Sequence, residues 1–142
     1  MTSPQNPLRT DRWLRAVGYG LLAEVATIVT IIAVVLFYRF VFARGHSDAD
    51  YIAFAQKAGA LLGVIGGTIY VYLFARALMR RLAARFIGHG VVVAIAAIAF
   101  SVAGSIAGHQ GVPRAYLLAS ALKLAAGALA GWLASGKTHV TA

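Results

Sequence analysis

The stretch that decides the fold is Ala16-Val-Gly-Tyr-Gly20-Leu-Leu-Ala-Glu24-Val-Ala-Thr27-Ile-Val-Thr30-Ile-Ile-Ala-Val-Val-Leu-Phe37. Glu24 is its only charged residue. As a helix rising 1.5 Å per residue, such a run crosses a hydrocarbon layer of about 30 Å. It is longer than the apolar segment of a signal peptide, and no small-x-small cleavage site follows it. Barrel strands would alternate in polarity, which this run does not do.

Three further apolar runs follow. The second lies between Lys57 and Arg76. The third lies between Arg85 and Arg114 and contains no charged residue. The fourth runs from Arg114 to Gly136, interrupted only by Lys123. In lipid, backbone amides must be satisfied within the segment, so all four read as helices. The expected fold class is an all-α membrane protein: a four-transmembrane-helix bundle with helices at about 13–42, 50–81, 87–108 and 113–134. Residues 13–136 form one domain. Residues 1–12 read as a polar N-terminal tail, unstructured over residues 1–10, and 137–142 as a C-terminal tail.

Composition agrees with this reading. Of 142 residues, 61% are apolar and 12% charged, against roughly 45–50% and about 25% in soluble domains. That excludes an ordinary water-soluble globule, and the apolar excess excludes disorder. Without cysteine there are no disulfides, thiolate metal sites or Cys nucleophiles. The net charge of +9 comes from 13 Lys and Arg against 4 acids. These cations edge the apolar runs instead of lining one face of a domain, so nucleic acid is not an expected partner.

Cation placement also orients the chain. Arg9, Arg12, Arg15, Arg76, Arg80, Arg81, Arg85 and Lys137 fall on one side. Arg39, Arg44, Lys57 and Arg114 fall on the other. Both termini are therefore expected in the cytoplasm, with Trp13 and Trp132 near that interface. The expected location is multi-pass, in a bacterial inner (plasma) membrane. Ser47 or Asp48 is placed to cap the second helix. The third ends near Gly108 and Gly111, and Pro113 suits the first turn of the fourth.

Helices in lipid associate through close backbone approach at small residues. The candidate packing positions are Gly20, Gly59, Gly63, Gly67, Ser101, Ser105, Gly127 and Gly131. Ile28, Ile31, Ile32, Val35, Val92 and Ile95 are expected to face lipid or fill gaps. Glu24 and Lys123 both lie on small-residue stripes. An intramembrane charge costs about 2.5–3.5 kcal/mol on insertion scales and needs a reason.

Three readings of Glu24 and Lys123 stand open. They neutralise each other and fix helix register. Alternatively, Glu24 is a protonatable carboxylate in a polar cavity, serving proton or cation exchange. In the third, Lys123 snorkels outward and Glu24 bonds Thr27 or Tyr19. Their depths differ by roughly 8 Å at 1.5 Å per residue. Side chains lean toward their helix N-termini, which tilts the two apart, and Arg76 is a second possible partner for Glu24.

The segment Gly20-Leu-Leu-Ala-Glu24-Val25 is similar to the first-helix segment of small multidrug resistance transporters. The resemblance covers about six residues. It implies Glu24 as the shared proton and cation-substrate site of a dimer. The third helix, Val91-Val-Val-Ala-Ile-Ala-Ala-Ile-Ala-Phe100, departs from that family's Trp-containing pattern.

Other polar residues read more simply. His46, Asp48 and Asp50 form a solvated loop and helix cap, with a metal site as the weaker reading. His89 and His109 bracket the third helix at opposite ends and read as interfacial, not as haem ligands. Thr68, Tyr70, Ser101 and Ser105 either line an interior cavity or bond neighbouring helices. Arg76, Arg80, Arg81 and Arg85 either bind anionic lipid headgroups or only anchor topology. No catalytic triad, paired carboxylates or nucleotide loop is visible, so neither catalysis nor a cofactor or metal is expected. The expected function is a noncatalytic accessory or scaffold component of a membrane complex. The alternative is a small oligomeric proton- or cation-coupled transporter or channel using Glu24. The expected partners are the lipid bilayer and either further copies of the chain or other membrane subunits.

Overall fold

Four helices account for nearly all of residues 7–82, 86–107 and 114–136, the part of the chain that the computed structural model describes. They are α1 (Pro7–Phe37), α2 (Asp48–Met79), α3 (Phe86–Ala107) and α4 (Arg114–Ser135). All four are long and apolar enough to cross a membrane. The helix begins at Pro7, inside the segment expected to be an unstructured tail. Proline is preorganised for a first helical turn, where its missing amide costs nothing.

A π-helical turn, Tyr38–Phe42, extends α1. Its widened winding ends where the Ala43 amide donates to the Tyr38 carbonyl at 3.0 Å. Gly45 then turns the chain at φ 85°. Ser47, not Asp48, caps α2: its hydroxyl accepts from the Asp50 amide, and the Asp50 carboxylate accepts from the Ser47 amide at 3.2 Å. This reciprocal pair satisfies the otherwise orphaned donors of the first turn.

The helices stand at the corners of a square. α1 packs on α2 and α3, α4 packs on the same two, and α2 and α3 touch more sparsely across one diagonal. α1 and α4 face each other across the other diagonal. Ring pairs set the antiparallel register of α1 and α2: Tyr38 stacks on Phe54, and Tyr19 meets Phe74 edge-on. The start of α1 and the end of α4 share one end of the bundle. There Trp13 reaches Gly88 and Gly131 lies against Ile87.

Polarity runs inside-out. Large apolar side chains point away from the bundle, among them Leu22, Val29, Ile32, Leu61, Ile69 and Leu117, the last 71% exposed. The interior is built of small residues: Ala16, Ala23, Ala75, Ala94, Ala97, Ala126 and Ala130. A soluble monomer rarely presents so continuous an apolar exterior. Of the residues expected to face lipid or fill gaps, Ile28, Ile32 and Ile95 are exposed, while Val92 packs against the core.

Two backbone crossings hold the small interior together. A Cβ on Gly20 would lie 2.4 Å from the Val93 carbonyl oxygen, where α1 meets α3. A Cβ on Gly90 would lie 2.1 Å from the Gly127 carbonyl oxygen, where α3 meets α4, and Gly131 presses on Ile87 one turn further along. Gly20, Gly67, Gly127 and Gly131 thus sit at contacts, as the sequence suggested. Gly59 and Gly63 do not, for a Cβ at either would meet nothing within 4 Å. The reason is winding. Residues four apart drift by about 40° per step, so Gly59 has turned about 80° from Gly67. Gly59→Ala is therefore expected to be neutral or to stabilise by up to about 1 kcal/mol through helix propensity. Reversible unfolding in mixed micelles measures it.

His89 lies in the first turn of α3. It is buried and stacks on Trp13, with ring centroids 4.1 Å apart and planes within 6°. His109, Gly108, Gly111, Pro113 and Lys137 lie outside the described residues.

Candidate functional site

Glu24 and Lys123 meet in the centre of the square. Glu24 follows Ala16, Gly20 and Ala23 on the buried face of α1, and Lys123 precedes Ala126, Gly127 and Ala130 on that of α4. The Lys123 Nζ donates to Glu24 Oε2 at 2.7 Å and to Ser101 Oγ at 3.0 Å. The Ser101 hydroxyl donates in turn to Glu24 Oε1. The three groups close a triangle, with Glu24 8% and Lys123 4% exposed.

This geometry overrides the outward lean expected of the two side chains. α1 and α4 are diagonal neighbours, so only a long side chain can span the gap. Gly67 of α2 opens the way: a Cβ there would lie 2.8 Å from Lys123 Cε and 3.4 Å from its Nζ. The lysine stem lies over that bare backbone and brings its ammonium to the carboxylate. The cluster therefore involves every helix: Glu24 from α1, the Gly67 seat from α2, Ser101 from α3 and Lys123 from α4.

Nearby polar groups are satisfied locally. The Thr27 hydroxyl donates to the Ala23 carbonyl at 2.9 Å, not to Glu24. Thr68 donates to the Val64 carbonyl at 2.6 Å. Tyr70 and Thr30 share a hydrogen bond of 2.8 Å between α2 and α1. Ser105 is buried in α3. Thr68, Tyr70 and Ser101 thus bond backbone or neighbouring helices. An apolar groove opens sideways between α3 and α4, lined by Ile95, Ile98, Val102, Ile106 and Leu124 with Ser120 as its one hydroxyl.

The triangle can neutralise charge and tie three helices together. It offers no second carboxylate for acid–base work and no activated nucleophile. Among the described residues no three His, Cys, Asp or Glu side chains gather as a metal site. At the other end of α1, His46 Nδ1 lies 3.9 Å from Asp50 Oδ2, both exposed. Asp50 is engaged with Ser47, so this corner is a helix cap. Arg39 lies over the Tyr51 ring at 4.9 Å, and the Tyr51 hydroxyl donates to the Ala43 carbonyl, which closes the turn. Arg76, Arg80 and Arg81 stand at the far end of α2, and Arg76 takes no part in the ion pair. Arg85 lies outside the described residues.

Sequence reasoning missed Gly90 and the bond from Ser101 to Glu24. Gly90, Ala94 and Ala97 form a small-residue row, which was the available signal for the crossing. Comparison of the chain with protein-family profiles, curated proteins and solved structures finds no match to any of them.

Proposed function

We propose that this chain is a small multi-pass integral membrane protein, noncatalytic, acting as an accessory or scaffold component of a membrane complex. In this reading both termini face the cytoplasm of a plasma membrane, because the arginines outside the spans concentrate at that end. The supporting observation is the closed triangle of Glu24, Ser101 and Lys123. The carboxylate is engaged by an ammonium and a hydroxyl in an interior built mainly of alanine and glycine, with Val71, Val93 and Leu78 fully buried and the buried Thr27 hydroxyl bonded to its own helix backbone. A transport site must exchange its occupant, and Lys123 is a tethered cation that cannot leave. Charges buried in this way set helix register and partner choice in the best-attested cases.

Reconstitution tests the reading. Wild-type protein and Glu24→Gln, each in liposomes, are expected to show the same background flux of protons, monovalent cations and lipophilic cations. Flux above protein-free liposomes that is abolished both by Glu24→Gln and by Glu24→Gln combined with Lys123→Met, the variant expected to keep the stability of the bundle, would instead establish the transporter. Purification of the full chain in mild detergent is expected to retain further copies or other membrane subunits in fixed stoichiometry.

A further inference from the structure

The cation-rich end of the bundle carries a convergence that the ion pair does not use. Tyr19 of α1 and Phe74 of α2 meet with ring centroids 6.2 Å apart, which fixes the seam between the two helices. Arg15 stands one turn before Tyr19 and Arg12 two turns before, both on the face that Tyr19 turns to α2. Arg81 lies two turns beyond Phe74. Its amide donates to the Leu78 carbonyl at 2.9 Å, so the chain keeps winding past the Arg80 cap and holds Arg81 on the Phe74 side. Arg12, Arg15 and Arg81 are all exposed. Among the residues whose side chains are described, no carboxylate lies within 4.0 Å of them: the ion pairs there are Glu24–Lys123 and His46–Asp50. The sequence places only Asp11 nearby.

We infer that the end of the α1–α2 seam binds the phosphodiester of an acidic phospholipid, held by Arg15 and Arg81 with Arg12 beside them. Three guanidinium groups on one seam repel each other unless an anion sits among them. Guanidinium matches phosphate oxygens two at a time, so two arginines on facing helices make a fork for one headgroup. The chemistry would also suit free phosphate. The placement selects a lipid. Leu22, seven residues after Arg15 and so on the same face two turns deeper, is exposed and offers acyl chains an apolar wall. Trp13 lies at the same level, where amphipathic rings prefer the headgroup boundary. This inference rests on the membrane reading and adds a ligand class to one of its ends.

The test uses the full chain in zwitterionic nanodiscs, titrated with fluorescent phosphatidylglycerol and, separately, fluorescent phosphatidylcholine. The wild type is expected to prefer phosphatidylglycerol. Arg15→Gln and Arg81→Gln should each weaken that preference about five-fold, at about 1 kcal/mol per surface cation. The double variant should weaken it about thirty-fold. Arg39→Gln with Arg44→Gln, at the opposite end, should leave it unchanged. Equal preference in the Arg15/Arg81 variants and the wild type would overturn the site. So would an equal loss in the Arg39/Arg44 variant, or displacement of the labelled lipid by millimolar inorganic phosphate. Failure of the chain to enter nanodiscs would instead overturn the membrane reading itself.

Discussion

Lys123→Ala is expected to lower the stability of the bundle by about 3–5 kcal/mol, the usual cost of leaving one partner of a buried pair behind. The residue lost is 4% exposed, and its ammonium makes hydrogen bonds of 2.7 and 3.0 Å. Removal strands the Glu24 carboxylate with the Ser101 hydroxyl alone, and opens a void over Gly67 where the stem had lain. Glu24→Gln combined with Lys123→Met behaves differently. Glutamine keeps a carbonyl for the Ser101 hydroxyl, methionine refills the space over Gly67, and no charge remains to be desolvated. The double variant is therefore expected within about 1 kcal/mol of the wild type, or above it. Unfolding titrations in mixed micelles give the order. If the double variant is the less stable of the two, the pair is not the keystone of the fold.

The second large effect is expected where α3 crosses α4. Gly90→Ala would press a methyl carbon to 2.1 Å from the Gly127 carbonyl oxygen, and Gly127→Ala to 2.3 Å from that of Gly90. Both obstacles are backbone, so no side-chain rotation relieves them, and the helices must separate. Each substitution is expected to cost about 3 kcal/mol, the upper part of the range for overpacking. The loss should exceed any gain in helix propensity, which is at most about 1 kcal/mol. The same micelle titrations check this, with Gly59→Ala as the opposite case on an open face. Gly90→Ala as stable as the wild type would mean that this crossing is not in close contact.

Much of the architecture was legible in the chain because it follows from local composition. Four apolar runs separated by charges predict four helices by length alone, and cap chemistry narrowed the cap of α2 to Ser47 or Asp48, although the helix, expected from about residue 50, begins at Asp48. The start of α1 was less legible. Pro7 begins a helix as readily as it ends a tail, and polarity of the surrounding residues does not distinguish the two. Packing positions were half legible. Gly20, Gly67, Gly127 and Gly131 stand out as small residues, and so do Gly59 and Gly63. Only the helix arrangement says which of these rows meets another backbone.

The candidate site shows the same division. That Glu24 and Lys123 would lie on inward, small-residue faces came from residue spacing, because residues four apart share a helix face in any setting. That they touch did not. Depth and side-chain lean, both local quantities, argued for separation. Contact depends on α1 and α4 standing on one diagonal, on Gly67 lacking the carbon that would block the lysine stem, and on Ser101 arriving from α3. Each is a relation between helices far apart in the chain. Sequence alone therefore determined which segments are helical and apolar and which two charges need a partner, since burial in an apolar run carries that cost wherever the run sits. The tertiary structure decided that the two are partners, because pairing is set by distance across the bundle, which no local pattern encodes.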